Sequence, residues 1–200
     1  MGPRSQAQPR GRAEPVEAEM PLGRYLASTE KRVRDRAIRS LAAFVLMRAQ
    51  EGGLSMSPAE LSKLWKGLFY CFWMSDKPLV QQQLAQELSE LVLMVAGIDT
   101  RSDEAQVASL RHALAALDFY QGFWHTMQAE WLGVDKFRID KYYLLMRRFL
   151  QAGCQLLLVY GCDALLVERY VHIMRGTDGP LSSNNVHVPD SITYHICDAF

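Results

Sequence analysis

Residues 64–78 read Leu-Trp-Lys-Gly-Leu-Phe-Tyr-Cys-Phe-Trp-Met-Ser-Asp-Lys-Pro and carry five aromatic side chains within nine positions. Rings at this density favour burial, because each removes a large apolar area from water when it packs. Apolar residues recur at three- and four-residue steps, which predicts a helix. In one interpretation Trp65 and Phe72 fill a core. In the other, Tyr70 and Trp73, on different faces, anchor a partner protein.

The sequence on both sides of this segment predicts further helices. Ser57-Pro58-Ala59-Glu60 combines an N-cap serine, a proline at the first helical position and a glutamate that completes a capping box. An earlier helix is expected from about Thr29 to the glycines at 52–53. Residues 75–78 indicate a turn and a new helix start at Pro78, and that helix, at about 78–96, is expected to end at Gly97. Ser102 is expected to cap the next helix, at 102–131 with a break near Gly122, and further helices are expected at 135–152, 155–160, 163–175 and 190–200.

No run alternates with period two over a convincing length, so the sequence predicts an all-α fold. Helices joined by short turns indicate antiparallel helix pairs, as in a HEAT- or armadillo-like helical repeat, although no clean internal sequence repeat is present. Residues 1–25, rich in proline and charge, are expected to form a disordered tail. Residues 26–200 are expected to form one helical domain.

Composition and charge narrow the class of protein. The chain has 200 residues, enough for one domain with a sizeable core. Its 22 basic and 22 acidic residues cancel, but residues 24–48 hold seven basic and two acidic side chains, and residues 135–148 hold five and two. The rest of the chain is therefore net acidic, and the molecule is electrostatically lopsided.

The four cysteines, at positions 71, 154, 162 and 197, have no CxxC spacing. The first twenty residues contain no apolar block of the kind found in a signal peptide. Reduced thiols in a cytosolic or nuclear protein are therefore expected. The longest apolar run is far too short for a membrane span.

Catalytic and metal motifs are missing from the sequence. His125 is followed by Thr-Met-Gln-Ala-Glu, which is not an HExxH arrangement. His195 and Cys197 are a lone pair of potential ligands, and the other histidines have no partner at ligand spacing. The glycines are too scattered for a phosphate-binding loop. We therefore expect no catalytic residue, no metal and no cofactor, and we expect that the protein is not an enzyme.

Three blocks of sequence resemble a known family. Trp65-Lys66-Gly67-Leu68-Phe69-Tyr70-Cys71 is followed by Trp73-Met74 and Asp76-Lys77-Pro78-Leu79, and a weaker block is Arg34-Asp35-Arg36-Ala37. The remaining block comprises Phe123-Trp124, Thr126-Met127, Glu130-Trp131, Gly133, Asp135, Arg138, Asp140-Lys141, Tyr143 and Leu145-Met146-Arg147. Together they resemble the eukaryotic nucleolar ribosomal RNA-processing protein 1 family over residues 29–150.

The resemblance implies a ribosome biogenesis factor of the nucleus and nucleolus, acting in the maturation of large-subunit ribosomal RNA. Such a helical scaffold would bind proteins and assembly factors of the large-subunit precursor, with ribosomal RNA as a further partner, but neither a membrane nor a small-molecule substrate. The alternative is a generic helical-repeat adaptor that binds proteins without touching RNA. Steep weakening by salt would distinguish phosphate contacts from an interface anchored by aromatic rings.

The basic side chains are the candidates for binding, and each cluster has two interpretations. The cluster on the first helix (Lys31, Arg32, Arg34, Arg36 and Arg39) is either a solvated face, with Asp35 pairing locally, or a contact for RNA phosphates or an acidic partner. The motif at 135–141 is either a structural network in which an arginine clamps a carboxylate, or a partner contact. The set predicted to make polar contacts is Arg34, Arg36, Lys66, Lys77, Arg138, Lys141 and Arg147; the set predicted to support the scaffold is Trp65, Phe69, Trp73, Trp124 and Trp131.

Two departures from the family pattern generate further expectations. The stretch 97–118 is longer than is usual between the two main blocks, which predicts a surface insertion. The chain ends where family members continue, so the domain is expected to be truncated at its C-terminus. Ile192, Ile196 and Phe200 would then form an apolar stripe with little to cover it.

Overall fold

The fold was analysed in a computed structural model, which describes residues 25–26, 28–50, 56–98 and 109–199. The predicted tail up to residue 24, the predicted cap at Ser102 and the last residue, Phe200, lie outside the described residues. The side chains of residue 46 and residues 48–50 are likewise not described. The division into a tail and one domain therefore stays a prediction.

Within the described residues the chain forms seven α helices of ten residues or more, and no strand. They are α1 (Lys31–Gln50), α2 (Pro58–Trp73), α3 (Pro78–Val95), α4 (Leu110–Glu130), α5 (Ile139–Val159), α6 (Ala164–Arg175) and α7 (Asp190–Ala199). A short 3₁₀ helix, Trp131–Gly133, follows α4 directly. The all-α prediction is confirmed.

The helices pack in two layers that alternate along the chain. The odd-numbered helices form one row, in which α1 packs on α3, α3 on α5 and α5 on α7. The even-numbered helices form a second row, in which α2 packs on α4 and α4 on α6, and α4 joins the rows by contacting α3 and α5. Alternating rows are the arrangement of α-solenoids, so the fold is compatible with the predicted helical repeat.

Local signals explain where α2 and α3 begin and end. Ser57 accepts a hydrogen bond from the Glu60 backbone N–H at 3.3 Å, and the Glu60 carboxylate accepts one from the Ser57 N–H at 2.8 Å, which completes the predicted capping box. Pro78 is the first residue of α3. A backbone N–H at this position has no partner within the helix, so proline removes no hydrogen bond there. Gly97 follows α3 with a φ of 72°, a left-handed conformation that favours glycine.

The core is built on aromatic contacts between α2, α4 and α5. The Trp65 ring contacts Phe119, Phe123 and Phe149, and its indole N–H donates to the Phe119 carbonyl at 2.9 Å. Phe123 and Phe149 stack with their ring centres 3.7 Å apart. The core interpretation of the aromatic helix is therefore confirmed for its buried rings, Trp65, Phe69 and Phe72.

Two predicted helix boundaries are wrong. Helix α4 runs through Gly122 without a break. A Cβ atom at this position would lie 2.5 Å from Cδ1 of Trp65, so glycine here makes room for the indole rather than ending the helix. Helix α5 continues to Val159 and joins two segments that were predicted as separate helices, because Leu150 and Leu156 extend its buried face.

The expectation of a surface insertion over 97–118 is wrong for the part that lies in α4, whereas residues 99–108 lie outside the described residues; the expectation of an uncovered stripe is also wrong for Ile192 and Ile196. Ala113, Ala116 and Leu117 are fully buried in the first half of α4. Ile192 and Ile196 are fully buried too, because α7 packs against α5. Helix α7 is further held by a hydrogen bond from Thr193 to the Pro180 carbonyl at 2.8 Å.

Candidate partner-binding surfaces

Arg34 lies inside the fold, with only 8% of its surface exposed. Its guanidinium donates to the carbonyls of Ser28 at 2.8 Å and Thr29 at 3.0 Å, just before α1. It also donates to the Met74 carbonyl at 3.1 Å, at the end of α2. The side chain therefore ties the start of α1 to the α2–α3 turn, residues 74–77.

Lys141 approaches the same turn from α5 and is 6% exposed. Its ammonium donates to the carbonyls of Trp73 at 2.7 Å and Ser75 at 2.8 Å. The ammonium also lies 5.6 Å from the centre of the Phe72 ring. Burial, together with the positive charge of Arg138, lowers the pKa of Lys141 to about 8.

These contacts fix the backbone of the α2–α3 turn from several sides. The Ser75 carbonyl also accepts from the Gln81 side chain at 3.0 Å, and the Ser75 hydroxyl donates to the Phe72 carbonyl at 2.6 Å. Asp76 and Lys77, at the tip of the turn, are exposed. The result is a rigid turn that presents one carboxylate and one ammonium to the solvent.

Arg138 has a structural environment of its own at the start of α5. It forms an ion pair with Asp135 and lies over the Trp73 ring, 4.6 Å from its centre. This arrangement matches the network interpretation of the motif, in which an arginine clamps a carboxylate. A cation over an aromatic face adds a further favourable interaction.

The remaining predicted cations are exposed, and two of them have polar neighbours. Lys66 pairs with Glu130 at 2.9 Å, and the Tyr70 hydroxyl donates to the same carboxylate at 3.0 Å. These two donors lower the pKa of Glu130 below its usual value. Arg147 lies 3.3 Å from the His195 ring. Arg36 and Lys77 are exposed on α1 and on the α2–α3 turn.

Helix α1 presents a basic stripe to the solvent. Arg32, Arg36 and Arg39 are exposed and follow one another at four- and three-residue steps, which places them on one side of the helix. Lys31, on the same helix, pairs locally with Asp35 at 2.6 Å. The structure therefore brings three arginines together on one face and keeps the buried Arg34 apart from them.

A groove of about 720 Å³ between α2 and α4 was not predicted from the sequence, although the predicted cation Lys66 lines it. Gly122, Leu61 and Ala129 also line it. Each end carries an ion pair, Lys66 with Glu130 at one and Asp118 with Arg169, at 2.8 Å, at the other. Asp118 and Arg169 are far apart in sequence, so no motif could have pointed to their pairing.

Within the ranges 25–26, 28–50, 56–98 and 109–199, no group of three or more His, Cys, Asp or Glu side chains is placed to hold a metal ion. None of the helices in those ranges combines the length and the apolar character of a membrane span.

Comparisons with known proteins give a consistent result. Residues 17–200 match the family model described as nucleolar protein, Nop52. The chain is 36% identical over 156 residues to ribosomal RNA processing protein 1 homolog A of Homo sapiens, which covers 78% of this chain and 31% of that protein. It is 36% identical over 184 residues to homolog B of Mus musculus, covering 92% of this chain and 23% of that protein.

A more distant relative extends the comparison to insects. The chain is 32% identical over 136 residues to the ribosomal RNA processing protein 1 homolog of Drosophila melanogaster, covering 68% of this chain and 18% of that protein. The chain thus spans about a third or less of the length of these curated relatives.

Proposed function

The chain belongs to the Nop52 family of nucleolar proteins, and from this premise we propose that it acts in ribosomal RNA processing as a non-enzymatic scaffold of the large-subunit precursor. The observation that carries the proposal is the family match over residues 17–200, with relatives named for ribosomal RNA processing. Nucleus and nucleolus are the locations that go with this family. Its partners in the proposal are precursor-particle proteins, assembly factors and ribosomal RNA.

A scaffold of this kind works through binding energy alone. Two rows of helices hold exposed side chains at fixed positions, so little entropy is lost when a partner docks. The protein would stabilise one arrangement of the precursor, which separate nucleases then cut. The same rows hold cations on several surfaces, among them the basic stripe on α1 and Lys77 on the α2–α3 turn.

The predicted polar residues divide by role in this proposal. Arg36, Lys66, Lys77 and Arg147 are exposed and are proposed to contact RNA phosphates or acidic side chains. Arg34 and Lys141 are proposed to contribute indirectly, because they hold the turn that carries Lys77. Arg138 anchors the neighbouring connection through Asp135 and Trp73.

The test is sedimentation of the tagged chain from nucleolar extract, combined with sequencing of RNA crosslinked to it in cells. We expect it to migrate with large-subunit precursor particles and to carry precursor ribosomal RNA. A variant with Arg36→Glu, Lys77→Glu and Arg147→Glu should lose much of the crosslinked RNA. Arg111→Glu and Arg175→Glu, at other exposed arginines, form the matched control.

Salt dependence then separates RNA contact from protein contact. Each phosphate contact should contribute a slope of about 0.7–0.9 log units of affinity per log unit of salt. A flat response, with precursor proteins still bound, would favour the adaptor that never touches RNA. Migration of the chain apart from all precursor particles would contradict the proposed function.

A further inference from the structure

The α4–α5 connection, residues 131–138, is held rigidly by its own polar groups. The Asp135 carboxylate accepts from the Phe137 backbone N–H at 2.9 Å and pairs with Arg138. The Val134 N–H donates to the Trp131 carbonyl at 2.9 Å. Arg138 in turn lies over the Trp73 ring at the end of α2. The connection is therefore ordered by internal contacts.

Of the four apolar side chains of this connection, Trp131 is buried, Val134 is partly buried, and Leu132 and Phe137 are exposed. Trp131 is 6% exposed, donates to the Ser191 hydroxyl at 2.8 Å and packs against Tyr143. Leu132 is 92% exposed and Phe137 is 84% exposed. Helices α5 and α7 thus cover Trp131, whereas the fold leaves Leu132 and Phe137 exposed to water.

Phe137 is unusual for this chain. Among the phenylalanines in the described part of the chain, it is the one classed as exposed, while most of the others lie in the core. An exposed aromatic side chain on an ordered backbone favours binding, because its burial is favourable and little backbone entropy remains to be lost. Two such apolar side chains on one ordered connection indicate an interaction surface.

Charge indicates the kind of partner. The Lys136 ammonium lies 5.1 Å from the centre of the Phe137 ring. Asp135, by contrast, is already paired with Arg138. The charge beside the exposed ring is therefore positive, and it would be matched by a carboxylate.

We propose that the α4–α5 connection is a docking surface for a protein whose apolar surface covers Phe137 and Leu132 and whose rim carries a carboxylate facing Lys136. The proposal rests on the proposed function in one respect, namely that the docking protein is a component of the ribosomal precursor particle. A protein fits this surface better than single-stranded RNA does. Base-stacking platforms sit in strongly basic grooves, whereas this connection carries an exposed leucine and only one cation, Lys136, besides the Arg138 that is paired with Asp135.

The experiment places the photo-crosslinking residue benzoyl-phenylalanine at position 137 of the full chain in cells. The matched control places it at Leu158, which is 70% exposed near the far end of α5, about 30 Å along the helix. Crosslinked peptides are sequenced by mass spectrometry, and crosslinked RNA is sequenced in parallel. Sedimentation with precursor particles is recorded for each protein.

The supporting result is a crosslink from position 137, absent from position 158, to one apolar segment of a precursor-particle protein with Asp or Glu beside it. Leu132→Ser should reduce its yield by about tenfold, as loss of a buried contact does, and Lys136→Glu, at the rim, should reduce it by a smaller factor. Crosslinks from position 137 to RNA, to a second copy of this chain or to nothing would overturn the inference. If the chain sediments with precursor particles in those cases, the proposed function stands; if it does not sediment with them, the proposed function fails as well.

Discussion

Cations from the three family-like sequence blocks differ in their position in the fold. Arg34 and Lys141 are buried and donate to backbone carbonyls around the α2–α3 turn. Arg36, from the same block as Arg34, and Lys77, from the block of the aromatic helix, are exposed. Helix periodicity alone separates Arg34 from Arg36, because two residues along a helix lie on opposite faces. A cation in a sequence motif can therefore either hold the protein backbone through hydrogen bonds or remain exposed and available to a ligand.

The strongest test of this contrast is Lys141→Met against Lys77→Met. Loss of the Lys141 ammonium leaves the buried Trp73 and Ser75 carbonyls short of donors, so the free energy of unfolding should fall by about 2–4 kcal/mol. The exposed Lys77→Met should change it by less than ~0.5 kcal/mol. Urea unfolding followed by circular dichroism measures both, and equal effects would remove the distinction between inner and outer lysines.

The arginines give a second comparison within one helix. Arg34→Met should lower the free energy of unfolding by about 1–3 kcal/mol, since three carbonyls lose a charged donor. Arg36→Met, two positions along α1, should be close to neutral for stability. The same urea titration applies. If Arg34→Met left the free energy of unfolding unchanged, water would be able to replace the guanidinium without loss of stability.

Glycines extend the comparison to apolar packing. Gly122→Ala puts a Cβ atom 2.5 Å from Cδ1 of Trp65. The overpacking outweighs the gain in helix propensity, so the free energy of unfolding should fall by about 1–2 kcal/mol. Gly133→Ala, with nothing within 4 Å of the added Cβ, is the control and should cost less. Thermal unfolding monitored at 222 nm compares the two. If Gly122→Ala raised the melting temperature, the inferred contact with Trp65 would be wrong.

The smallest effect, counted per unit of pH, comes from titration of the buried Lys141 ammonium. The pKa of Lys141 is about 8 in the fold, against an ordinary value of 10.5. Between these values the unfolded chain binds more protons, so stability should rise with pH by roughly 1 kcal/mol per unit. This contribution is present above pH 10.5 and is lost as the pH falls through about 8.

The measurement is the difference in unfolding free energy between the native chain and Lys141→Met at pH 7, 8, 9 and 10. Other titrating groups are common to both proteins and largely cancel. We expect the unfolding free energy of the native chain to increase relative to that of the variant as the pH rises. A difference that stays constant with pH would mean that the pKa of Lys141 is not lowered.

The features that were predicted correctly from the sequence are those that local chemistry determines. The capping box at Ser57, the proline start of α3 and the glycine after it are signals read within a few residues, and all three are where they were expected. The buried rings of α2 followed from their density and spacing. The break at Gly122 was wrong because packing against Trp65 outweighs the local preference of glycine.

The candidate site depended on contacts between distant parts of the chain, and these the sequence did not show. Arg34 meets Met74 across 40 positions, and Lys141 meets Trp73 across 68. Helix periodicity places Arg34 and Arg36 on opposite faces, but nothing local shows which distant carbonyl a buried cation meets. The exposure of Phe137 was missed for the same reason, since an aromatic residue beside a lysine is equally compatible with a covered position.

The alternating rows of helices also bear on how the chain folds as it is synthesised. Each helix finds its main neighbours one or two helices along the chain, so contacts form between segments that emerge close together in time. Such near-neighbour contacts favour rapid folding, because little loop entropy is spent before packing begins. A nascent chain of this kind gains a docked helix with nearly every helix that leaves the exit tunnel, and its apolar faces spend little time open to aggregation.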